Sequence, residues 1–274
     1  MVVFTPWGRE LTASILYRYI KRDHDAGLVD EWMLWSNTDE DQHRDREYAE
    51  ELAQQHHWIN VYERPLGEVR HPKQLNTGRF YVYTQDPDTI YVRMDDDIVW
   101  VDQNAIRNLV QFRLDNPQPY VVFPIIWNNA VCSYYLQQGE QMPSWWGKVD
   151  CYCMDPKGWA DPHFAENIHN HLLKCIENGD VYRLFMHTSV QLPMSLQFSV
   201  SSFAQFGGEY AKHDGLIGYE EEGWHTMQQP YETGRANVIV PDSLISHFSF
   251  YHQRNYLLKK TDLLQRYKEL SEDV

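Results

Sequence analysis

The stretch Tyr91-Val92-Arg93-Met94-Asp95-Asp96-Asp97-Ile98-Val99-Trp100 decides the fold of this sequence. An apolar run with β-branched residues stops at three acids, and a second apolar run follows them. This pattern predicts a strand that is buried on both faces, as in an α/β sheet. Because side chains alternate along extended backbone, Asp95 and Asp97 should face one way and Asp96 the other.

Three adjacent carboxylates repel one another at neutral pH unless a positive charge lies among them. Two hard oxygen ligands, one residue apart at the carboxyl edge of a sheet, suit Mg²⁺ or Mn²⁺. The alternatives are a solvated acidic strand end, or Asp97 as the cap of a nearby helix. We therefore expect a metal site here, with these alternatives open.

The composition bounds the class of protein. The chain has 274 residues, 43% hydrophobic and 23% charged, as expected for one large globular domain. A net charge of −15 argues against a general nucleic-acid binder. The four cysteines lack metal or redox spacing, and the start has no basic leader or long apolar run, so we expect reduced thiols and a cytoplasmic protein.

The first half predicts alternating strands and helices, and hence parallel strands joined by right-handed crossovers. Pro124 in the fifth strand favours an edge or a bulge. Ligands of such sheets bind beyond the carboxyl ends of the strands, where the three acids lie. The predicted strands are Val2–Phe4, Glu31–Ser36, Trp58–Glu63, Ile90–Met94 and Tyr120–Ile126, and the predicted helices are Glu10–Ala26, Asp39–Gln55, Gln74–Tyr83 and Gln103–Leu114.

The second half is less regular. Residues 127–155 predict a long functional loop, and a glycine turn is expected at Phe206-Gly207-Gly208. The remaining predicted elements are a helix over Phe164–Ile176, strands over Met194–Phe203, Val238–Val240 and Ser243–Phe250, and a closing helix over Arg254–Leu270.

Asp95-Asp96-Asp97, Gly207-Gly208 and Glu220-Glu221-Glu222 together resemble the GT-A glycosyltransferases, which are nucleotide-sugar-dependent enzymes, with a family 2-like layout. The resemblance implies one catalytic domain, residues 1–274, built on a Rossmann-like, mostly parallel sheet flanked by helices. It assigns residues 1–126 to the nucleotide sugar and the mixed half, 127–274, to the acceptor.

By this resemblance, Asp97 would hold Mn²⁺ or Mg²⁺ on the donor diphosphate. Asp95 would contact the ribose or waters on the metal, with Asp96 beside it at the donor. His247 matches the placement of a late histidine ligand of the family, although a histidine on an apolar strand is also a common hydrogen-bonded core residue.

The same resemblance places the donor base, usually uracil, at Thr5, Pro6 and Asp39; a helix cap or turn is the alternative for Asp39. The cations Arg70, Lys73 and Arg79 precede the acidic strand and could neutralise the diphosphate. Ordinary solvated surface cations are the alternative for each of them.

The second acidic cluster, Glu220-Glu221-Glu222, stands where similar inverting enzymes place a general base. We predict Glu221 for this role, with Glu220 and Glu222 as competitors. The alternative is the acid-rich first turn of a helix. Trp145, Trp146 and Trp224 could stack on sugar rings or could simply pack in the core.

The predicted function is metal-dependent transfer of a sugar (hexosyl or pentosyl) from a nucleotide diphosphate sugar, a UDP-sugar first of all, to an acceptor hydroxyl. The acceptor is a glycan, a small molecule or a hydroxymethylated pyrimidine of phage-type DNA. Three rivals stay open: a haloacid dehalogenase-like phosphatase, whose usual Thr is absent after Asp97; a sugar-nucleotidyltransferase, whose Gly-rich loop is absent after Phe4; and a non-catalytic sugar- or metal-binding protein.

Overall fold

The computed structural model describes residues 1–39, 41–65, 73–217 and 220–274, with the side chains of 73–75 left out. Within these ranges the strands form a nine-stranded sheet. The strands are β1 (Val2–Trp7), β2 (Glu31–Ser36), β3 (Ile59–Glu63), β4 (Ile90–Met94), β5 (Ile98–Val101), β6 (Val122–Trp127), β7 (Val190–Gln191), β8 (Ser202–Phe206) and β9 (Val238–His247).

Helices flank this sheet and connect its strands. The α-helices are α1 (Glu10–Asp25), α2 (His43–Gln55), α3 (Ala105–Asp115), α4 (Ala130–Gln138), α5 (Pro162–Asn178), α6 (Gly207–Ala211), α7 (Glu221–Gly223), α8 (Gln229–Thr233), α9 (Tyr251–Lys260) and α10 (Leu263–Glu272). Three 3₁₀ segments cover Lys73–Tyr83, Ser144–Trp146 and Val181–Leu184, and π-helical turns cover Pro156–Ala160 and Trp224–Gln228.

The strand order is β3-β2-β1-β4-β8-β6-β9-β5, and β7 pairs with β9. The first four strands in this order are parallel, whereas β8 runs antiparallel to both β4 and β6. Strand β9 pairs in parallel with β6 and antiparallel with β5 and β7. The predicted α/β fold, with a helix-flanked central sheet and a mixed second half, is confirmed.

Aromatic side chains fill the space between the sheet and the 3₁₀ segment Lys73–Tyr83. Phe4 stacks on Trp35 with ring centroids 4.2 Å apart, and Trp35 stacks on Phe80 at 5.4 Å. Tyr81 meets both Phe4 and Trp35 edge-on. All four rings are fully buried, so they fix this segment over the carboxyl halves of β1 and β2.

Strand β6 corrects one prediction. Pro124 lies in an interior strand between β8 and β9 and not at an edge. The predicted bulge is present, because the register with β9 shifts between Phe123 and Ile125. The shift accommodates the missing N–H of the proline inside the sheet.

Several second-half predictions are wrong in detail. Residues 127–155 contain helix α4, capped by Asn129, where a loop was expected. Within Met194–Phe203 only Ser202 and Phe203 belong to a strand, β8. The two predicted strands between residues 238 and 250 are one strand, β9, and the closing helix is divided at Thr261, whose backbone is extended.

The predicted Phe206-Gly207-Gly208 turn is the start of α6. A Cβ atom on Gly207 would lie 2.1 Å from the Asp86 carbonyl oxygen and 2.7 Å from a Tyr91 ring carbon. A Cβ on Gly208 would meet only Pro87, at 3.6 Å. Gly207 is therefore required by a close approach of backbone to backbone, and Gly208 is not. In the described part of the chain, no helix is long and apolar enough to cross a membrane.

We predict that Gly207→Ala lowers the free energy of unfolding by about 1 to 3 kcal/mol, because the added methyl group overlaps backbone atoms. The matched control, Gly208→Ala, should change it by less than about 0.5 kcal/mol, since that methyl finds ordinary contact distances. Urea unfolding followed by circular dichroism measures both values. Equal stability of the two variants would contradict this account of the turn.

Candidate active site

A cavity of about 600 Å³ opens at the carboxyl ends of β1, β2 and β4. The chain proceeds from β1 to β2 and β3 on one side and then returns to β4 on the other, so the strand order reverses between β1 and β4. Such a switch point leaves a crevice above the sheet, where ligands of open α/β sheets bind. The cavity walls carry six carboxylates, from residues 95–97 and 220–222, and three guanidinium groups, from Arg9, Arg93 and Arg254.

Arg9 ties the acidic strand end to the first strand. It lies between β1 and α1, as the residue that precedes the helix, and its Nε donates to Asp96 Oδ1 at 2.7 Å while its Nη1 donates to Asp97 Oδ2 at 2.7 Å. The two aspartates are almost fully buried, whereas the side chain of Arg9 is 36% exposed. The guanidinium thus neutralises buried charge and still faces the cavity.

Asp97 and His247 form the part of the cluster that best fits a cation. His247 Nε2 lies 3.3 Å from Asp97 Oδ2, and its Nδ1 lies 3.3 Å from the Asn128 carbonyl oxygen. If Nδ1 donates to that carbonyl, a neutral ring turns the lone pair of Nε2 toward a carboxylate, which calls for a proton or a metal ion between them. Asp97 Oδ1 is buried and has no hydrogen-bond partner in the described part of the chain.

These donors fit Mg²⁺ or Mn²⁺, and Asp97 and His247 would hold the ion. A ready-made group of three or more acidic, histidine or cysteine ligands is not present within residues 1–39, 41–65, 73–217 and 220–274. The remaining ligands would have to come from water or a substrate. The predicted ligand role of Asp95 stays a prediction, since its Oδ1 accepts from Arg93 Nε at 2.9 Å.

Arg93 joins the two acidic clusters. It is the fourth residue of β4, it is buried, and it donates to Asp95 and to Glu221 Oε1. The same oxygen of Glu221 accepts from the hydroxyl of Tyr81, which is fully buried. Glu221 is therefore committed to two strong donors.

The neighbouring glutamates differ from Glu221 in their contacts. Glu220 Oε2 accepts from the backbone N–H of Gly223 at 3.1 Å, so Glu220 caps the short helix α7. Glu222 Oε2 accepts from the side-chain amide of Gln197 at 3.2 Å. Burial and the nearby charge of Glu220 raise the pKa of Glu222 to about 7.

The three aspartates also differ in their proton affinity. Burial raises the pKa of Asp96 to about 6 although the charge of Arg9 opposes it, and burial raises the pKa of Asp95 against the charge of Arg93. Burial acts in the same direction on Asp97, but Arg9, His247 and Arg254 outweigh it and hold the pKa of that carboxyl well below its usual range. Asp97 is therefore the permanently ionised member of the triplet.

The other predicted residues are spread more widely. Pro6 lines the cavity, whereas Thr5 is fully buried in β1 and its Oγ1 accepts from Trp32 Nε1 at 2.9 Å. Asp39 is exposed in the turn before α2, and Arg79 is half-buried; neither lines the cavity.

Arg70 and the side chain of Lys73 lie outside the described residues. Of the tryptophans, Trp145 is exposed, Trp146 is half-buried and Trp224 is buried. Their sugar-stacking roles stay predictions.

Sequence reasoning missed the three arginines of the cavity, Arg9, Arg93 and Arg254. Only Arg93 gave a signal, because a charged residue inside an apolar strand needs a partner. Arg9 and Arg254 gave none, since they are separated from Asp97 by 88 and 157 positions along the chain.

Of three comparisons with known proteins, only the one with solved structures found a match. No family model matches the chain, and no curated protein matches it. Among solved structures, the chain is similar to a CMP:2-keto-3-deoxy-manno-octonic acid synthetase complexed with CTP, at 10% identity and a TM-score of 0.49, over 100% of this chain and 99% of the other. At these values the likeness transfers no activity and no residue role.

The protein brought up by the comparison is not of the predicted class. Where the sequence prediction called for a GT-A glycosyltransferase, the structure brought up is a synthetase named for a cytidine nucleotide and a sugar acid. This finding contradicts the predicted resemblance to GT-A glycosyltransferases, the assignment as a hexosyl- or pentosyltransferase and the UDP-sugar donor, and none of them enters the proposed function. The carboxylate motif on which they rested indicates a cation and phosphate and does not distinguish the transferred group.

We predict that Arg93→Met lowers the free energy of unfolding by about 2 to 4 kcal/mol at pH 7, because it leaves two partly buried carboxylates, Asp95 and Glu221, without their buried cation. The loss should shrink as the pH falls, since burial raises the pKa of Asp95 and its protonation removes one of the two unpaired charges. Urea unfolding at pH 5 and pH 7 measures it. Adding Glu221→Gln should restore part of the loss, and a double variant no more stable than Arg93→Met alone would contradict the pairing.

Proposed function

We propose that this protein is a metal-dependent nucleotidyltransferase, which binds a nucleoside triphosphate and transfers its nucleotidyl group to the hydroxyl of a sugar. The single observation that carries the proposal is the cavity at the switch point between β1 and β4, where carboxylates suited to a cation meet guanidinium groups suited to phosphate. We include in this proposal that the protein is located in the cytoplasm, where nucleoside triphosphates are made.

The size and the walls of the cavity support a nucleotide as ligand. A volume of about 600 Å³ lies within the usual range for cofactor and small-molecule sites. Pro6, Asn37 and Gln42 line the side of the cavity at the ends of β1 and β2, where the base would lie and where Pro6 offers an apolar surface. The carboxylates and arginines line the side at the end of β4, where the phosphates would lie.

The proposed reaction forms one phosphorus–oxygen bond and breaks another. The sugar hydroxyl oxygen attacks the α-phosphorus, the bond from that phosphorus to the bridging oxygen breaks, and pyrophosphate leaves. A divalent cation held by Asp97 and His247 would neutralise phosphate charge. The hydroxyl proton passes to a carboxylate, for which we propose Glu222.

Three properties favour Glu222 over its neighbours as the proton acceptor. It lines the cavity, its carboxylate is held by neutral donors (the Gln197 amide at 3.2 Å and the Val200 backbone), and its pKa is raised to about 7 by burial and by Glu220. Glu221, the residue favoured by the sequence, is held by Arg93 and Tyr81 and would lose these bonds as it took up a proton. We assign Glu221 a positioning role.

The proposal is tested by incubating the protein with CTP, UTP, ATP and GTP, each with a panel of neutral sugars and sugar acids, in Mg²⁺, Mn²⁺ or EDTA. We expect pyrophosphate release that requires one nucleotide, one sugar and a metal, with a nucleotide-sugar product seen by mass spectrometry. Release of inorganic phosphate alone would instead indicate a phosphatase. Pyrophosphate formation that is unaffected by EDTA, or none with any pair, would overturn the proposal.

For the base, we predict that Glu222→Gln lowers kcat by about 100-fold or more with little change in nucleotide Kd, since only the proton transfer is lost. In the wild type, kcat/KM should rise with pH and level off above about 7, because Glu222 accepts a proton only when it is ionised. The control is Glu47→Gln, whose side chain is 63% exposed on α2 and should not affect either value. A variant that retains the rise with pH would rule out Glu222.

A further inference from the structure

Two arginines from distant parts of the chain share one carboxylate oxygen. Arg9 Nη1, from the end of β1, and Arg254 Nη2, from α9, lie 2.7 and 3.2 Å from Asp97 Oδ2. His247 Nε2 approaches the same oxygen at 3.3 Å. Two guanidinium groups and an imidazole thus converge on one buried carboxylate oxygen, and Arg9 is at the same time shared with Asp96, whose Oδ1 accepts from its Nε at 2.7 Å.

The two guanidinium groups repel each other at this distance. Burial and then the charge of Arg9 lower the pKa of Arg254, while Asp97 and Asp96 act to raise it. The side chains are nevertheless 36% and 35% exposed, so both have room to turn into the cavity. The attraction of Asp97 thus holds the two guanidinium groups close together in spite of their repulsion.

Besides Asp97, Arg254 is held by an uncharged residue, Ser249. Its Nε donates to Ser249 Oγ at 3.2 Å and its Nη2 donates to the Ser249 carbonyl oxygen at 3.0 Å. Within the described ranges its Nη1 makes no hydrogen bond, and Arg254 lines the cavity. Arg254 therefore presents a free N–H to a ligand while the Ser249 contacts hold its orientation.

A divalent cation on Asp97 would compete directly with these arginines. Asp97 and His247 are the residues that fit the ion, and Asp97 Oδ1 is buried without a hydrogen-bond partner in the described part of the chain. The two positive charges of the ion would repel both Arg9 and Arg254 and would weaken the attraction of Asp97 for them. The arginines must then leave the carboxylate, or an anion must enter among them.

We propose that Arg9 and Arg254 form a phosphate-binding clamp, which Asp97 holds closed in the absence of a ligand. A divalent cation opens this clamp, because it displaces the guanidinium groups from Asp97 toward the phosphates. The inference rests on the proposed function and adds to it an order of binding, cation before phosphate. Phosphate is the fitting ligand because planar guanidinium forks bind its oxygens in pairs, and because it carries enough negative charge to bridge a cation and two arginines.

The test measures two binding affinities of the whole protein by calorimetry. The first ligand is Mn²⁺ alone, and the second is inorganic pyrophosphate at saturating Mn²⁺. Arg254→Met removes a competitor of the ion, so we expect Mn²⁺ to bind about fivefold more tightly. It also removes one arm of the clamp, so pyrophosphate should bind at least about tenfold more weakly. Arg9→Met should change both affinities in the same directions and replaces the first variant if that one does not fold.

The matched control is Arg183→Met, which removes an arginine that is 68% exposed outside the cavity and should leave both affinities unchanged. Mn²⁺ binding that is unchanged or weaker in the folded Arg254 and Arg9 variants would overturn the clamp, whatever the enzyme catalyses. Opposite changes in the two affinities without nucleotidyl transfer by the wild type would support the clamp and count against the proposed function alone.

Discussion

The meeting of buried carboxylates and guanidinium groups at the carboxyl end of β4 is the interaction on which the rest of this structure depends. Asp96 and Asp97 are almost fully buried, and they would be too costly to ionise there without Arg9, Arg254 and His247. These partners come from the end of β1, from α9 and from the end of β9. One small charge cluster thus ties the first, fourth and ninth strands of the sheet to helix α9.

The arrangement also explains why the cavity is suited to charged ligands. The apolar strands exclude water from the sheet, and only the strand ends open into the cavity, so the charges act in a medium of low polarity where each is felt strongly. Six carboxylates face three arginines. The excess of negative charge favours a cation, and the arginines that neutralise the carboxylates are the groups that would bind phosphate. Metal and phosphate sites therefore arise from the same residues.

The error in the predicted enzyme class has a physical reason. A run of acids after a buried strand specifies a cation and, through it, a phosphate, but enzymes that transfer a sugar and enzymes that transfer a nucleotide share that need. The group that moves is decided by how the second substrate approaches, which a three-residue motif does not encode. The choice among Glu220, Glu221 and Glu222 was similarly open, since it depends on Arg93, Tyr81, Gly223 and Gln197, which contact them only in the fold.

The sequence by itself determined the α/β class, the bounds of β2 and β4, and the position of the acids at the edge of the sheet, because hydrophobic period and helix spacing are local properties of the chain. The tertiary structure alone decided that Pro124 lies in an interior strand, that residues 238–247 form one strand, and that Gly207 rather than Gly208 is indispensable. It also decided the site, since Arg9 and Arg254 reach Asp97 only when strands far apart in sequence become neighbours. Local patterns specify elements, whereas the pairing of buried charges depends on which elements pack together.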